Sequence, residues 1–418
     1  MRDISERNLI AWLGQKVGFD AEYFFKNGFW VTLRYIFITG LGISLSVAFA
    51  RLASKELYGQ YQFIIAFIAF FSFLSLPGLN VVTLREAVHG NMSALRQAVQ
   101  KSFFWGIGIS VISVLYGAYL VLTGGPHLGF ALMAGGVIAP FFYAPNNWYV
   151  FYEGRLDFRS STVRIIITQI LLFLFMFAGL FFHLSILFLV VFYFAIQAFL
   201  NIYFYTEVSK QIEKVSTQVL DMRFALLATF QKFSWSLSES LQIFIIAFLY
   251  GFEMLAVFQV AYLLIAAFSG FVGAFSSLYF PLIMKKERVL VGKSLFHNLL
   301  LGILGAFAYI LFLKLFFLFF YGEAYQQSLQ LAYSFSLLVV FIPLRLYIIN
   351  FFTAHKENVA VIVANIFSNS IALFAFFGFK DFGFEISVLA YMYTLHFSLL
   401  FFLGIVYIAP LLKKRIML

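Results

Sequence analysis

The feature that most constrains this chain is a series of apolar runs, each roughly 20 residues long, separated by short polar joints. A run of that length crosses the ~30 Å hydrocarbon core of a bilayer as a helix. Lipid offers no partner for backbone N–H and C=O groups, so a spanning segment must be a helix or a strand of a closed barrel. Barrel strands alternate apolar and polar residues, and these runs do not. The sequence therefore predicts an all-α polytopic membrane protein.

Twelve spans can be placed along the 418 residues. An even number of spans puts both termini on the same side of the membrane. Residues 1–27 precede the first span, and they are interpreted either as a helix lying in the interface or as a polar lead-in. The spans lie near 29–50, 60–79, 102–123, 128–150, 164–182, 184–206, 225–250, 254–283, 297–320, 326–351, 357–379 and 386–410.

The joints between spans differ in charge on the two sides of the membrane. Joints on the side of the N-terminus hold twenty-one of the 28 Lys and Arg residues, the opposite joints hold three, and four lie inside spans. Cytoplasmic loops carry such an excess, so the sequence predicts a multi-pass protein of the cell (inner or plasma) membrane with both termini in the cytoplasm. The net charge of +10 is spread over short loops on one face. We therefore expect membrane phospholipid headgroups, and no nucleic acid, as the partner of these cations.

Several classes of function are disfavoured. The chain has no cysteine, which excludes disulfides, thiolate metal sites and a cysteine nucleophile. The GxxxxGK[ST], HExxH, GxSxG and EF-hand patterns are absent. The joints predicted to be external are no longer than about ten residues, too short to build an active site of a glycan polymerase or ligase. We therefore predict no enzyme, no catalytic residues, and neither a metal nor a cofactor.

A short internal repeat divides the chain in two. ELYGQYQ at 56–62 and EMLAVFQ at 253–259 share a Glu, a small residue, an aromatic residue and a final Gln, at an offset of 197. Each joins the first and second spans of a set of six. Two parallel repeats of six spans have their pseudo-twofold axis along the membrane normal. We predict two six-helix bundles, at 28–215 and 216–418, with a cavity between them.

Four cations lie inside predicted spans: Arg34, Lys232, Lys314 and Arg345. A charge in the bilayer costs at least ~2.5–3.5 kcal/mol and usually faces the protein interior or water. Arg34 and Lys232 are 198 residues apart, within one residue of the repeat offset. These cations predict a cavity that binds an anionic head, such as a phosphate or diphosphate. The alternative is snorkelling to headgroups, which is open to Arg34, Lys232 and Lys314 and harder for Arg345.

The seventh span is unusually polar. It carries Ser234, Ser236, Ser238 and Gln242, together with Glu239, the one carboxylate in the interior of a predicted span. These groups predict a helix that lines a wet cavity, with Glu239 as a candidate ion-coupling residue. The alternative is that the serines allow close helix packing or bond their own backbone.

Three segments resemble polysaccharide-export flippases, which include the O-antigen flippases of the multidrug/oligosaccharidyl-lipid/polysaccharide exporter superfamily. They are FARLASKELYGQYQF at 49–63, LSLPGLNVVTLREAV at 74–88 and FYEGRLDFRSSTVRI at 151–165, and 241–283 is similar to the start of the second half. The resemblance implies a V-shaped pair of bundles with a cationic cavity that opens alternately to each side. It matches Arg85 and Glu86 to the family's Arg-Glu pair at the end of helix two, expected to be a cytoplasmic gate or a structural pair.

The expected function is transport of an undecaprenyl-diphosphate-linked oligosaccharide from the inner to the outer leaflet by alternating access. The lipid-linked oligosaccharide and membrane phospholipid are the expected partners, together with enzymes of polysaccharide assembly. An ion-coupled exporter of small amphiphilic molecules, with Glu239 as coupling site, is the alternative.

Overall fold

The computed structural model describes residues 21–88, 91–212, 220–285, 291–354 and 358–415, and within these ranges every regular element is helical. The predicted all-α fold is confirmed, whereas most of the lead-in 1–27 lies outside the described residues. Short 3₁₀ turns join some of the helices, as at Ser72–Ser75 and Pro145–Trp148. The α-helices are α1 (Ala21–Leu52), α2 (Lys55–Phe71), α3 (Leu79–Val88), α4 (Ala94–Leu122), α5 (Pro126–Tyr143), α6 (Tyr149–Gly154), α7 (Phe158–Phe181), α8 (Ile186–Lys210), α9 (Met222–Lys285), α10 (Val291–Tyr321), α11 (Gln326–Ser334), α12 (Ser336–Ala354), α13 (Asn358–Gly378) and α14 (Phe384–Arg415).

The predicted spans are recovered once two breaks are considered. Among the described residues, 10 helices are long and apolar enough to cross a membrane, and Glu323–Ser334 with Ser336–Asn350, bent by 51°, forms a further candidate. One of the 10 is the 49-residue stretch Met222–Gly270, which is interrupted at Gly251. An unbroken helix of that length would measure about 73 Å, more than twice the ~30 Å core. It therefore accounts for two predicted spans.

The break in α9 has a counterpart between α1 and α2. Gly251 has φ 82°, a conformation that glycine adopts without steric cost. At the start of α2, the side chain of Ser54 accepts a hydrogen bond from the N–H of Leu57 at 3.1 Å and caps the helix. Glu56 and Glu253 each lie shortly after such a break. The two repeat segments thus occupy corresponding positions at the start of a second span.

A seam between α2 and α9 is the main contact between residues 28–215 and 216–418. Aromatic rings from both sides meet along it, with centroids 4.6–6.3 Å apart in tilted and edge-on pairs. In these geometries an aromatic pair contributes stabilisation in addition to the free energy of burying its apolar surface. The rings belong to Phe63, Phe67, Phe70 and Phe73 on one side and to Phe233, Phe244 and Phe252 on the other.

A glycine stands at each end of this seam. A Cβ on Gly59 would lie 1.9 Å from the carbonyl oxygen of Phe252, and a Cβ on Gly78 would lie 2.0 Å from that of Ala225. The N–H of Gly78 donates to Oγ1 of Thr229 at 3.0 Å. Only glycine permits backbones to approach this closely, so the two contacts join residues 59 and 78 to α9 at the two ends of the seam.

We call the side of the predicted basic joints the basic face, and the other side the opposite face. At the opposite face Arg51 donates to the carbonyl oxygens of Phe319 and Phe320 at 2.6 and 2.8 Å. These carbonyls belong to the last turn of α10, where a cation also complements the helix dipole. Lys55 lies over the ring of Tyr325, 5.3 Å from its centroid. Two of the three cations on this face therefore hold the halves together.

A hydroxyl cluster lies beneath these contacts. Ser46 and Tyr58 share a hydrogen bond of 2.9 Å, and the hydroxyl of Tyr321 reaches Ser46 at 3.4 Å. All three side chains are buried. They connect α1, α2 and α10, so the opposite face is closed by polar contacts between the two halves.

Candidate functional site

The cations predicted to share one cavity are distributed over different parts of the fold. Arg34 lies inside the first half, Lys232 at the seam, and Arg345 inside the second half. Lys314 lies on α10, on a stripe with the exposed residues Leu311 and Leu315. This position favours the alternative, a lysine on an exposed stripe that reaches headgroups, over the predicted cavity role of Lys314.

Arg34 forms an ion pair inside the first half. Its Nη1 lies 2.7 Å from Oε1 of Glu153, and the two side chains are only 17% and 14% exposed. Glu153 comes from α6, which extends the fourth candidate span to Gly154. The span predicted from the sequence ends at residue 150, which leaves this carboxylate in a joint. The aromatic residues just before Glu153 were the signal that the span continues.

A polar pocket of about 600 Å³ surrounds this ion pair. Helices α1, α5, α6, α7 and α8 enclose it, together with the 3₁₀ turn Pro145–Trp148, and all of its lining belongs to the first half. The lining is rich in amides and hydroxyls, which is unusual for a helix bundle in lipid. Its polar members are Arg34, Tyr35, Asn146, Tyr149, Glu153, Thr168, Gln169, Gln197 and Asn201.

We predict that Arg34 and Glu153 stabilise each other by about 1–2 kcal/mol, above the ~0.2–1 kcal/mol of exposed ion pairs, because water screens them little. The measurement is a double-mutant cycle with Arg34→Gln and Glu153→Gln, read as unfolding in detergent. The pair Arg164–Glu207 is the control, since it has a similar distance of 2.6 Å but greater exposure of 21% and 37%. We expect a smaller coupling energy there, and equal couplings would contradict the prediction.

Lys232 occupies the junction of the two halves. Its Nζ donates to the carbonyl oxygen of Pro77 at 3.1 Å, next to the close contact of Gly78. The side chain is exposed although it lies about 15 Å along α9 from Met222. No ion pair within the described parts of the chain includes Lys232. An unneutralised cation is therefore accessible where the halves meet.

Arg345 belongs to a polar cluster of the second half. It interacts electrostatically with Glu239, and Tyr262 lies close to both charges. Glu239 is an exposed residue of α9. Nearby His396 is buried, with Nδ1 2.8 Å from the carbonyl oxygen of Met392. Each half thus holds a carboxylate and a guanidinium within its membrane-spanning part.

The polar residues of the seventh span have different environments. Ser234 donates to a carbonyl of its own helix at 2.8 Å, and Ser238 accepts a hydrogen bond from Asn369 at 2.7 Å. Gln242 is buried and Ser236 is half-buried. Ser234 and Ser238 therefore follow the packing alternative, and of the five polar residues singled out on this span only Glu239 is exposed.

Arg85 and Glu86 lie at the end of α3, on the basic face. Glu86 accepts a hydrogen bond from Asn91 at 3.0 Å, and Arg85 is exposed. Neither takes part in an ion pair among the described residues. A gate at this position stays a prediction.

The fold defines the class of protein: a multi-pass α-helical membrane protein. It is similar to solved transporters of the MOP superfamily. An inward-facing multidrug resistance MATE family transporter has 14% identity over 90% of this chain and 96% of its own, with a TM-score of 0.67. A eukaryotic MATE transporter has 13% identity over 91% and 96%, with a TM-score of 0.59. A MOP superfamily transporter from Pyrococcus furiosus, with a binding pocket described as having reverse polarity, has 12% identity over 93% and 95%, with a TM-score of 0.62.

The particular family follows from the sequence match. Residues 24–287, well over half of the chain, match the family described as polysaccharide biosynthesis protein, and the chain belongs to that family. Comparison with curated proteins gave no significant match. At identities of 11–14% the structural likeness shows the shared fold alone.

Proposed function

We propose that this protein is a flippase for lipid-linked oligosaccharide, with an undecaprenyl-diphosphate carrier, moving it across the cell membrane by alternating access. Membership in a polysaccharide biosynthesis family and a transporter fold support the proposal. The observation that carries it is Lys232, an exposed cation at the junction of the halves and within the membrane-spanning part. A diphosphate head needs such a group, because an unpaired anion in lipid is costly.

The cations would act together on the head of the substrate. Lys232 would contact the diphosphate first, since no carboxylate neutralises it. Arg34 and Arg345 would contribute from the two halves when the anionic head competes with Glu153 and Glu239. The prenyl chain would stay in lipid while the sugars pass through the protein interior.

The proposed transport direction follows the charge of the joints. The basic face would be the cytoplasmic one, with both termini there, and the substrate would enter from that side. The contacts of Arg51 and Tyr321 close the opposite face. These contacts would have to break for the substrate to be released. The seam of α2 and α9 would act as the pivot between the two halves.

The test is reconstitution of the purified protein in liposomes that contain a lipid-linked oligosaccharide. We expect the protein to expose the glycan of the inner leaflet to an impermeant lectin added outside, with the covalent structure of the lipid unchanged. Protein-free liposomes are the control. Failure to raise glycan exposure above that control contradicts the function, and a lengthened or released glycan would indicate an enzyme.

An ion-coupled exporter of small amphiphilic molecules is the second candidate, and the interaction of Glu239 with Arg345 inside a predicted span favours it. In vesicles such an exporter would show proton- or sodium-dependent dye efflux that Glu239→Gln abolishes. Efflux without dependence on either ion, or efflux that is unchanged in the variant, would exclude this role for Glu239.

A further inference from the structure

The polar pocket of the first half contains two amide side chains that the fold leaves unused. Asn146 and Gln169 line it and are half-buried. Within the described residues neither side chain has a hydrogen-bonding partner in the protein. An amide offers both donors and an acceptor, and leaving these unmatched in a membrane-spanning bundle is unfavourable. Their position indicates a polar ligand that completes their hydrogen bonds.

Two further amides form a fixed wall. Asn201 accepts from Nε1 of Trp148 at 3.0 Å and donates to the carbonyl oxygen of Phe142 at 3.1 Å. Gln197 donates to the carbonyl oxygen one turn earlier in α8 at 3.0 Å. These hydrogen bonds hold the wall rigid before any ligand arrives, which lowers the entropic cost of binding.

The charge of the pocket is balanced. Glu153 neutralises Arg34, and no other charged side chain lines the pocket. While this ion pair is intact the lining carries no net charge, yet it offers many donors and acceptors. Hydroxyl groups have both functions and match amides in this respect. The volume of about 600 Å³ also falls within the usual range of ~300–1,000 Å³ for small-molecule pockets.

We infer that this pocket binds a sugar residue of the transported glycan, with Asn146 and Gln169 as hydrogen-bonding partners of its hydroxyls. Tyr149 adds an aromatic ring to the lining for the apolar face of the sugar. The inference rests on the proposed function and deepens it: Lys232 takes the diphosphate, and a separate neutral pocket takes the sugar. Recognition of the glycan would therefore lie in the first half.

The test compares binding of farnesyl diphosphate with binding of the same compound carrying N-acetylglucosamine, glucose or galactose on its terminal phosphate. Binding is measured by titration calorimetry on purified wild type and on the double variant Asn146→Leu and Gln169→Met. These replacements keep the side-chain size and remove the hydrogen bonds. The control is Gln330→Met, an exposed glutamine of α11 far from the pocket in sequence.

We expect at least one sugar to raise the affinity of the wild type and of the control about tenfold over plain farnesyl diphosphate. In the double variant this ratio should fall to about one, while plain farnesyl diphosphate binds as before, which shows that the variant is folded. The inferred sugar pocket is overturned if this affinity ratio is about one for all three sugars in the wild type, or if the ratio is unchanged in the double variant. Neither result contradicts the proposed flippase function. Binding of no diphosphate at all contradicts the proposed function itself.

Discussion

Replacement of Arg34, Lys232 and Arg345 together by Gln is expected to lower translocation of lipid-linked oligosaccharide at least a hundredfold. Hydrogen bonds to charged groups contribute about 1.5–3 kcal/mol each, and every ~1.4 kcal/mol is a factor of ten. The measurement is the lectin assay in liposomes at matched protein content. Lys232→Gln alone should lower the translocation rate about tenfold. This replacement leaves no carboxylate without its partner, because Lys232 is in no ion pair among the described residues.

The control for this variant is Lys314→Gln. Lys314 lies on the exposed stripe of α10, so its replacement should leave translocation unchanged. The single Lys232 variant keeps the result interpretable if the triple variant folds poorly, because the Arg34–Glu153 ion pair and the cluster of Arg345 and Glu239 stay intact in it. Unchanged translocation in the Lys232 variant and the triple variant would remove the cationic site from the proposal.

The second prediction concerns Gly59, where α2 meets the turn of α9. In Gly59→Ala the new Cβ would lie 1.9 Å from the carbonyl oxygen of Phe252, so the two helices must separate. Overpacking of this kind costs about 1–3 kcal/mol, which shifts an equilibrium between two conformations 5- to 150-fold. We therefore expect Gly59→Ala to favour states that are open at the opposite face.

The absence of cysteine makes this shift measurable by labelling. Ser46→Cys introduces a thiol at a position that is 3% exposed, beneath the contacts of the opposite face. A membrane-impermeant maleimide should label it several-fold faster when Gly59→Ala is also present. Gly42→Ala is the matched control, since a Cβ there meets nothing within 4 Å. Equal labelling in the two double variants would show that Gly59 does not control closure.

Much of the helix order could be predicted, because lipid imposes a strong and local rule. Each backbone polar group must be satisfied within its own helix, so about 20 apolar residues define a span without knowledge of its neighbours. The break at Gly251 lies in the joint that the repeat predicted. Even the bent span at 323–350 was recognised by composition, although its 51° bend was not.

The site was predicted less well, since orientation and pairing depend on distant residues. Glu153 is 119 residues from Arg34, and nothing local to either residue indicates the pair. Ser234 and Ser238 are predicted to line a cavity because hydroxyl groups are rare on lipid-facing helices. In the structure Ser234 donates to a carbonyl of its own helix and Ser238 accepts a hydrogen bond from Asn369. Lys232 donates to the carbonyl oxygen of Pro77, 155 residues away, and nothing local to Lys232 indicates that contact.

The sequence by itself determined that this chain crosses a membrane many times as helices, and it located four cations inside the spans. Both properties follow from the free energy of moving single residues from water to lipid. Only the tertiary structure decided which charges are neutralised: Arg34 by Glu153, Arg345 in a cluster with Glu239, and Lys232 by no carboxylate among the described residues. Charge pairing is set by side-chain separations of a few ångströms, and helix packing alone brings such side chains together.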